Sequence, residues 1–240
     1  MLYFPTSVES IPAIVLPIAI VAVYLTIIVI LAETVNRLIA NNSANNSEFT
    51  RKIVHIGSGN VILLAWWLDI PIRVIIGASA IAAMIALTSY FLPILPSINS
   101  VGRKSWGTFF YAISIGILAW SFWDEYPQYT AIGILIMTWG DGMAAIIGQK
   151  WGKHKYQLLG ITKSWEGSLT MAGISFLISS LILWWVWGNI WQTWLISGSI
   201  ALVAASLEAF SKLGIDNLTV PVASATIAFF LGQWLLYNAL

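Results

Sequence analysis

An aspartate sits inside an apolar run, Met137-Thr138-Trp139-Gly140-Asp141-Gly142-Met143. An acid at the centre of a membrane helix costs roughly 2.5–3.5 kcal/mol on insertion scales, so Asp141 calls for a basic partner or a metal ion. Intramembrane acids are functional by default; the alternative is an ion pair that only holds helices together. Gly140 and Gly142 on either side leave room for a second backbone or a ligand. Arg51-Lys52-x-x-His55 places three basic or titratable groups on one helical face, as a site or as snorkelling bases beside an interfacial histidine. In Thr162-Lys163-Ser164-Trp165-Glu166-Gly167-Ser168, a serine able to open a helix stands next to a cation. Free N–H groups at a helix start and a lysine together suit a phosphate. Glu166 in that turn can hold Mg²⁺ or close a capping box.

Glu208, Lys212, Asp216 and Asn217 form a last polar cluster. With Asp141 and Glu166 they bring up to four carboxylates together with Arg51, Lys52, Arg103, Lys104 and Lys163. Carboxylates bind hard cations through oxygen, and bases neutralise phosphate oxygens as charge develops. That is the composition needed to hold a Mg²⁺-nucleotide, and the reaction class it points to is phosphoryl or nucleotidyl transfer. There is no GxxxxGK[ST] loop, no protein-kinase signature set and no Ser-His-Asp arrangement. The chain has no cysteine, which excludes disulfides, thiolate catalysis and zinc–thiolate sites.

The elements that position these residues are apolar helices. Of 240 residues 59% are hydrophobic and only 9% charged, with a mean hydropathy of +0.84. A soluble domain carries about 25% charged residues, so a soluble globular fold and a disordered chain are both excluded. The net charge of +1 provides no field to draw in nucleic acid, and no nucleic-acid partner is expected. A spanning helix needs about 20 mostly apolar residues. Runs of that kind cover 11–32, 74–95, 105–123, 126–149 and 218–240, with a shorter one at 53–68 that contains His55. The first lacks a basic leader and a small-residue cleavage site, so it reads as a retained helix. Residues 167–207 carry no charge over 41 positions, enough for two helices broken at Gly188-Asn189. The expectation is an all-α, polytopic transmembrane bundle of about eight spans, seven if the short second one does not cross, forming a single domain over 1–240.

Charge bias gives the orientation. Ten of the eleven basic residues fall in alternate loops of the eight-span arrangement, among them Arg37, Arg51, Lys52, Arg103, Lys104, Lys150, Lys153, Lys155, Lys163 and Lys212; the other side has only Arg73. The positive-inside rule makes those loops cytoplasmic and puts both termini on the non-cytoplasmic side. The polar candidates all sit at or near the cytoplasmic ends of spans. Polar groups gathered at one face suggest chemistry at the membrane surface on something held in lipid, whereas transporters more often bind at the midplane between repeats.

Arg51-Lys52-Ile53-Val54-His55-Ile56-Gly57, Trp139-Gly140-Asp141-Gly142 with Gly148, Lys163-Ser164-Trp165-Glu166-Gly167-Ser168 and Asp216-Asn217-Leu218-Thr219-Val220-Pro221 resemble the polyprenol kinase family. The likeness is strongest to phytol kinases of cyanobacteria and plastids and weaker to dolichol kinase, and it runs in order over residues 50–225. The resemblance implies transfer of the terminal phosphate of a nucleotide, typically CTP, to the hydroxyl of phytol or a similar prenyl alcohol, with Mg²⁺ as cofactor. Carried over, it implies that Asp141, Lys163, Glu166, Asp216 and Asn217 bind the Mg²⁺-nucleotide, with Arg51, Lys52 and His55 at the same pocket. Combined with the polar clusters read from the residues themselves, this gives catalytic roles to Asp141, His55 and Glu166, and nucleotide or phosphate binding to Arg51, Lys52, Lys163, Ser164, Arg103, Lys104 and Asn217. Metal binding falls to Asp141, Glu208 and Asp216. Some members carry a second acid four residues beyond the aspartate; this chain has Ala145 there. The partners so implied are the lipid alcohol, the nucleotide and membrane lipid, in a plasma or thylakoid membrane, with a homo-oligomer left open. Two rival readings use the same residues: a CTP-dependent phosphatidate cytidylyltransferase and a small-anion transporter.

The orientation has a direct test in this cysteine-free chain. A cysteine introduced at position 155 should stay unlabelled when intact cells meet an impermeant thiol reagent, and one at position 124 should react. Labelling at 155 from outside would reverse the topology.

Overall fold

The computed structural model describes residues 11–39, 45–91, 106–158 and 160–237. They form a helical bundle. In chain order the elements are α1 (Ile11–Ile39), α2 (Asn45–Gly59), α3 (Val61–Trp67), α4 (Ile72–Phe91) and α5 (Gly107–Phe122). A long helix α6 (Pro127–Trp151) leads into a hairpin of β1 (Lys155–Leu158) and β2 (Ile161–Ser164), followed by α7 (Trp165–Trp187), α8 (Trp191–Phe210) and α9 (Asp216–Tyr237). Among the described residues six helices are long and apolar enough to cross a membrane: α1, α4, α6, α7, α8 and α9. Helix α5, with 16 residues, is apolar but shorter. The expected second span is two helical pieces that meet at Asn60 and start well before residue 53.

Helix α6 is the axis of the bundle, in contact with α2, α3, α5, α7 and α9. Its first half is enclosed: Thr130, Ala131, Ile132, Ile136, Met137 and Thr138 have no exposed surface. Apolar side chains gain little by leaving lipid, so close packing rather than the hydrophobic effect must hold such helices together. Glycines on separate faces of α6 permit it. A methyl on Gly133 would lie 2.5 Å from the Pro221 carbonyl oxygen of α9. One on Gly140 would lie 2.7 Å from Met171 Sδ of α7, and one on Gly142 2.7 Å from Ile56 of α2.

Midway along, at Ile136–Asp141, α6 widens into a π-helical turn. Such single wide turns are rare and occur often at functional sites. The Thr138 hydroxyl donates to the Ile134 and Leu135 carbonyl oxygens at 3.0 and 3.2 Å, supplying a donor where the ladder is disturbed. Trp139 Nε1 donates to Asn60 Oδ1 at 2.8 Å, so the break between α2 and α3 is pinned to the same turn.

The expected break in the long uncharged run is present. Gly188 ends α7 with φ +81°, the left-handed region that suits glycine. Trp194 Nε1 then donates to Asn189 Oδ1 at 2.9 Å at the start of α8. The hairpin is a departure from an all-α bundle. Its strands pair antiparallel, with Lys155 opposite Ser164 and Tyr156 opposite Lys163, and Gly160 at φ +76° makes the turn. Four-residue strands are too short for alternation to stand out in a sequence. The opposite end of the bundle is closed by aromatic rings, with Tyr129 packed against Phe122, Tyr126, Trp187 and Phe229.

The glycine contacts lead to a stability prediction. Overpacking a rigid contact costs about 1–3 kcal/mol, so Gly133→Ala should lower the melting temperature of the detergent-solubilised protein, followed by tryptophan fluorescence. Gly173→Ala, where a methyl meets nothing within 4 Å, should leave it unchanged or raise it through helix propensity.

Candidate active site

The wide turn of α6, the end of α8, α2 and the hairpin surround a cavity of about 930 Å³. Lys52, Asp141, Gly148, Lys163, Ser164 and Glu208 are among the residues that line it. Two ion pairs dominate it. Lys52 Nζ of α2 donates to Asp141 Oδ2 of α6 at 2.6 Å, and both side chains are largely enclosed, at 10% and 19% exposure. Lys163 of β2 reaches across to α8, where its ammonium donates to the Glu208 carboxylate and to the Glu208 main-chain carbonyl. Each pair joins elements far apart in the chain.

His55 lies one turn beyond Lys52 on α2, with Nε2 at 4.0 Å from Asp141 Oδ2. Its ring leans on Tyr111 of α5, with centroids 5.3 Å apart. The site therefore has two sides, a charged cavity and an imidazole backed by an aromatic ring. Tyr111 gave no signal in the sequence, because nothing in spacing links α5 to α2. Asp216 opens α9 within electrostatic reach of Asp141 and Lys163. Its Oδ1 accepts from Asn217 N at 3.2 Å and from Asn217 Nδ2 at 3.3 Å, and that amide also donates to the Gly214 carbonyl. Asn217 thus ties the α8–α9 loop.

Ser164 caps α7, its hydroxyl accepting from Gly167 N at 3.2 Å. The cap is packed by glycines: a methyl on Gly148 would lie 3.0 Å from Ser164 Oγ, and one on Gly152 only 2.1 Å from the Gly148 carbonyl oxygen. Trp165 N donates to the His154 carbonyl at 2.9 Å, so two of the N–H groups expected to face a phosphate are engaged within the protein. Glu166 is turned toward residues 153–154 and does not line the cavity. Arg51 precedes Lys52 on α2 and its side chain lies outside the described residues, as do Arg103 and Lys104 altogether.

Among the described residues no three histidine, aspartate or glutamate side chains come close enough to cage a metal. Mg²⁺ does not need a cage, since it is usually held by one or two carboxylates and the substrate's own phosphates. Glu208 Oε2 is buried with no hydrogen-bond partner among the described residues. A carboxylate oxygen left orphaned beside a polar cavity that Asp141 also lines is a donor set that fits such an ion.

Comparison with known proteins places these features in context. The chain is 53% identical over 209 residues to the phytol kinase of Synechocystis sp., covering 87% of this chain and 88% of that protein. It is 30% identical over 203 residues to phytol kinase 1, chloroplastic, of Arabidopsis thaliana, covering 76% and 66% of the two chains. It is 28% identical over 218 residues to a probable phytol kinase 1, chloroplastic, of rice. No protein-family model matches the chain. No solved structure matches it either.

The Lys52–Asp141 pair can be tested by thermal unfolding. Removing one partner of a buried pair leaves an uncompensated charge and costs about 3–5 kcal/mol. Lys52→Met and Asp141→Asn should each lower the melting temperature clearly, and the double variant should recover most of the loss. Additive losses would mean that the two charges do not depend on one another.

Proposed function

The chain belongs to the phytol kinase family, and from that membership we propose that it phosphorylates phytol or a related prenyl alcohol with CTP and Mg²⁺ at the cytoplasmic face of a membrane. One observation carries the reading: two enclosed ammonium–carboxylate pairs, Lys52–Asp141 and Lys163–Glu208, converge on one cavity. Such pairs can exchange partners. With a triphosphate bound, Lys52 and Lys163 would turn to its oxygens, and Asp141 and Glu208 would be free to hold the cation. Mg²⁺ held there supplies neutralisation of the charge that builds on the transferring phosphoryl group.

The acceptor hydroxyl approaches from the His55 side with its tail among the helices. Its oxygen bonds to the terminal phosphorus while the bond to the bridging oxygen breaks, and CDP leaves with the electron pair. The hydroxyl proton would pass to His55, whose Nε2 stands 4.0 Å from Asp141 Oδ2. Positioning and charge neutralisation do most of the work, as is usual for this chemistry. Asp216, at the start of α9 within electrostatic reach of Asp141 and Lys163, would add a third carboxylate for the cation, and the charge bias of the sequence assigns Arg51, Arg103 and Lys104 to the same membrane face. Six long apolar helices support a membrane setting. If α5 and the α2–α3 pair serve as shorter crossings, the spans number eight and both termini lie opposite the site.

Kinetics on the purified protein test this reading. Phytol and CTP should yield phytyl monophosphate and CDP; CDP-lipid with pyrophosphate from phosphatidate would instead identify a cytidylyltransferase. Asp141→Asn should lower turnover by orders of magnitude. Loss of a charge-assisted contact to a buried phosphate is worth about 2–5 kcal/mol, so Lys163→Met should lower kcat/KM for the nucleotide by roughly 30-fold or more. The exposed Lys153 should tolerate the same change within about fivefold. Equal losses at both lysines would mean a diffuse basic patch and no defined phosphate site.

A further inference from the structure

Glu166 is the acid whose surroundings fit a metal or substrate least. Its Oε1 accepts from Lys153 N at 3.1 Å, His154 N at 3.2 Å and His154 Nδ1 at 2.8 Å. Its Oε2 is 3.3 Å from His154 N. Its neighbours Ser164, Gly167 and Ser168 line the cavity and it does not. The donors it holds belong to the turn that leads from α6 into β1. The turn meets α7 again through Trp165 N, which donates to the His154 carbonyl at 2.9 Å, and β1 itself meets α7 through Tyr156 Oη and Ser168 Oγ at 2.6 Å.

We propose that Glu166 is a positioning residue that latches the β1–β2 hairpin onto the first turn of α7, so that Lys163 is held over the nucleotide cavity, and that it ligates neither metal nor substrate. The proposal rests on the kinase reading for what the cavity holds, but the latch itself is a property of the unliganded fold. The geometry explains how a contact at residues 153–154 reaches the cavity. Tyr156 and Lys163 are direct partners across the hairpin, so the seat of β1 sets the height of β2. Lys163 must then span to Glu208 on α8, and a hairpin that lifts from α7 carries the ammonium away from that wall. Gly152 completes the latch, since any side chain there would strike the Gly148 carbonyl.

Glutamine separates the two roles. Its carbonyl oxygen still accepts backbone N–H groups, whereas a neutral amide is a poor substitute for a carboxylate on Mg²⁺. Glu166→Gln and Glu166→Ala are compared with the unchanged chain by two measurements in detergent. The first is amide hydrogen exchange over residues 153–158 without nucleotide; Glu166→Ala should exchange at least about tenfold faster there, and Glu166→Gln within about threefold of the parent. The second is steady-state kinetics against CTP and Mg²⁺. Glu166→Ala should raise the nucleotide KM far more than it lowers kcat, Glu166→Gln should restore it, and the Mg²⁺ midpoint should be the same in all three. Unchanged exchange in Glu166→Ala would overturn the latch. Loss in Glu166→Gln as deep as in Glu166→Ala, with a shifted Mg²⁺ midpoint, would make Glu166 a ligand. An exchange difference in a protein that does not phosphorylate any prenyl alcohol would keep the latch and remove the kinase.

Discussion

A charge taken out of water has to meet an opposite charge at bonding distance, and among the described residues two enclosed pairs meet that requirement. Desolvating an ion costs several kcal/mol, which is recovered only when the partner is well placed. Lys52 and Asp141 are 89 positions apart, and Lys163 and Glu208 are 45 apart. Each pair therefore fixes a tertiary relation, α2 against α6 in one case and the hairpin against α8 in the other. The walls of the cavity are held at their spacing by the same groups that give it its chemistry. In the proposed reading, a triphosphate with its cation would bring both signs of charge and so replace the internal partners without leaving either pair's charges unanswered.

Close backbone approach is the second condition. The glycines of α6 point to three different neighbours, and at Gly148, Gly152 and Gly167 the end of α6 and the start of α7 meet with almost no side chain between them. This is how a serine cap, a strand end and a helix terminus can share one small volume. The π-helical turn adds a residue where Asp141 sits, which sets that side chain's direction apart from the regular spacing of α6.

Burial of charge made Asp141 legible in the sequence, and the same reasoning demanded a partner for it. It could not choose among Arg51, Lys52, Arg103, Lys104 and Lys163, because periodicity relates residues three or four apart and says nothing of residues 89 apart. The break at Gly188-Asn189 was legible from length alone, as no single helix of 41 residues suits a bilayer. The hairpin was not: its strands are four residues each, and one glycine is the only turn signal. Glu166 was ambiguous for a local reason. With Ser164 as cap, the capping-box position falls on Gly167, so its carboxylate was free to serve the turn at 153–154, which only the folded chain brings near. The wide turn in α6 and the Tyr111 ring beside His55 left no trace in composition or spacing.

The shortness of α5 bears on how a lipid alcohol meets the site. Sixteen helical residues span about 24 Å at 1.5 Å each, against a hydrocarbon layer of about 30 Å. A bilayer meeting such a helix thins at modest energy, fractions of a kcal/mol per ångström. The first turns of α5 carry Tyr111, which touches His55 beside Asp141. In the proposed reading, headgroups and water would be drawn down on the side of the bundle where the acceptor arrives. A hydroxyl riding at the normal depth of the interface would then come level with Asp141, without its apolar tail having to leave the oil.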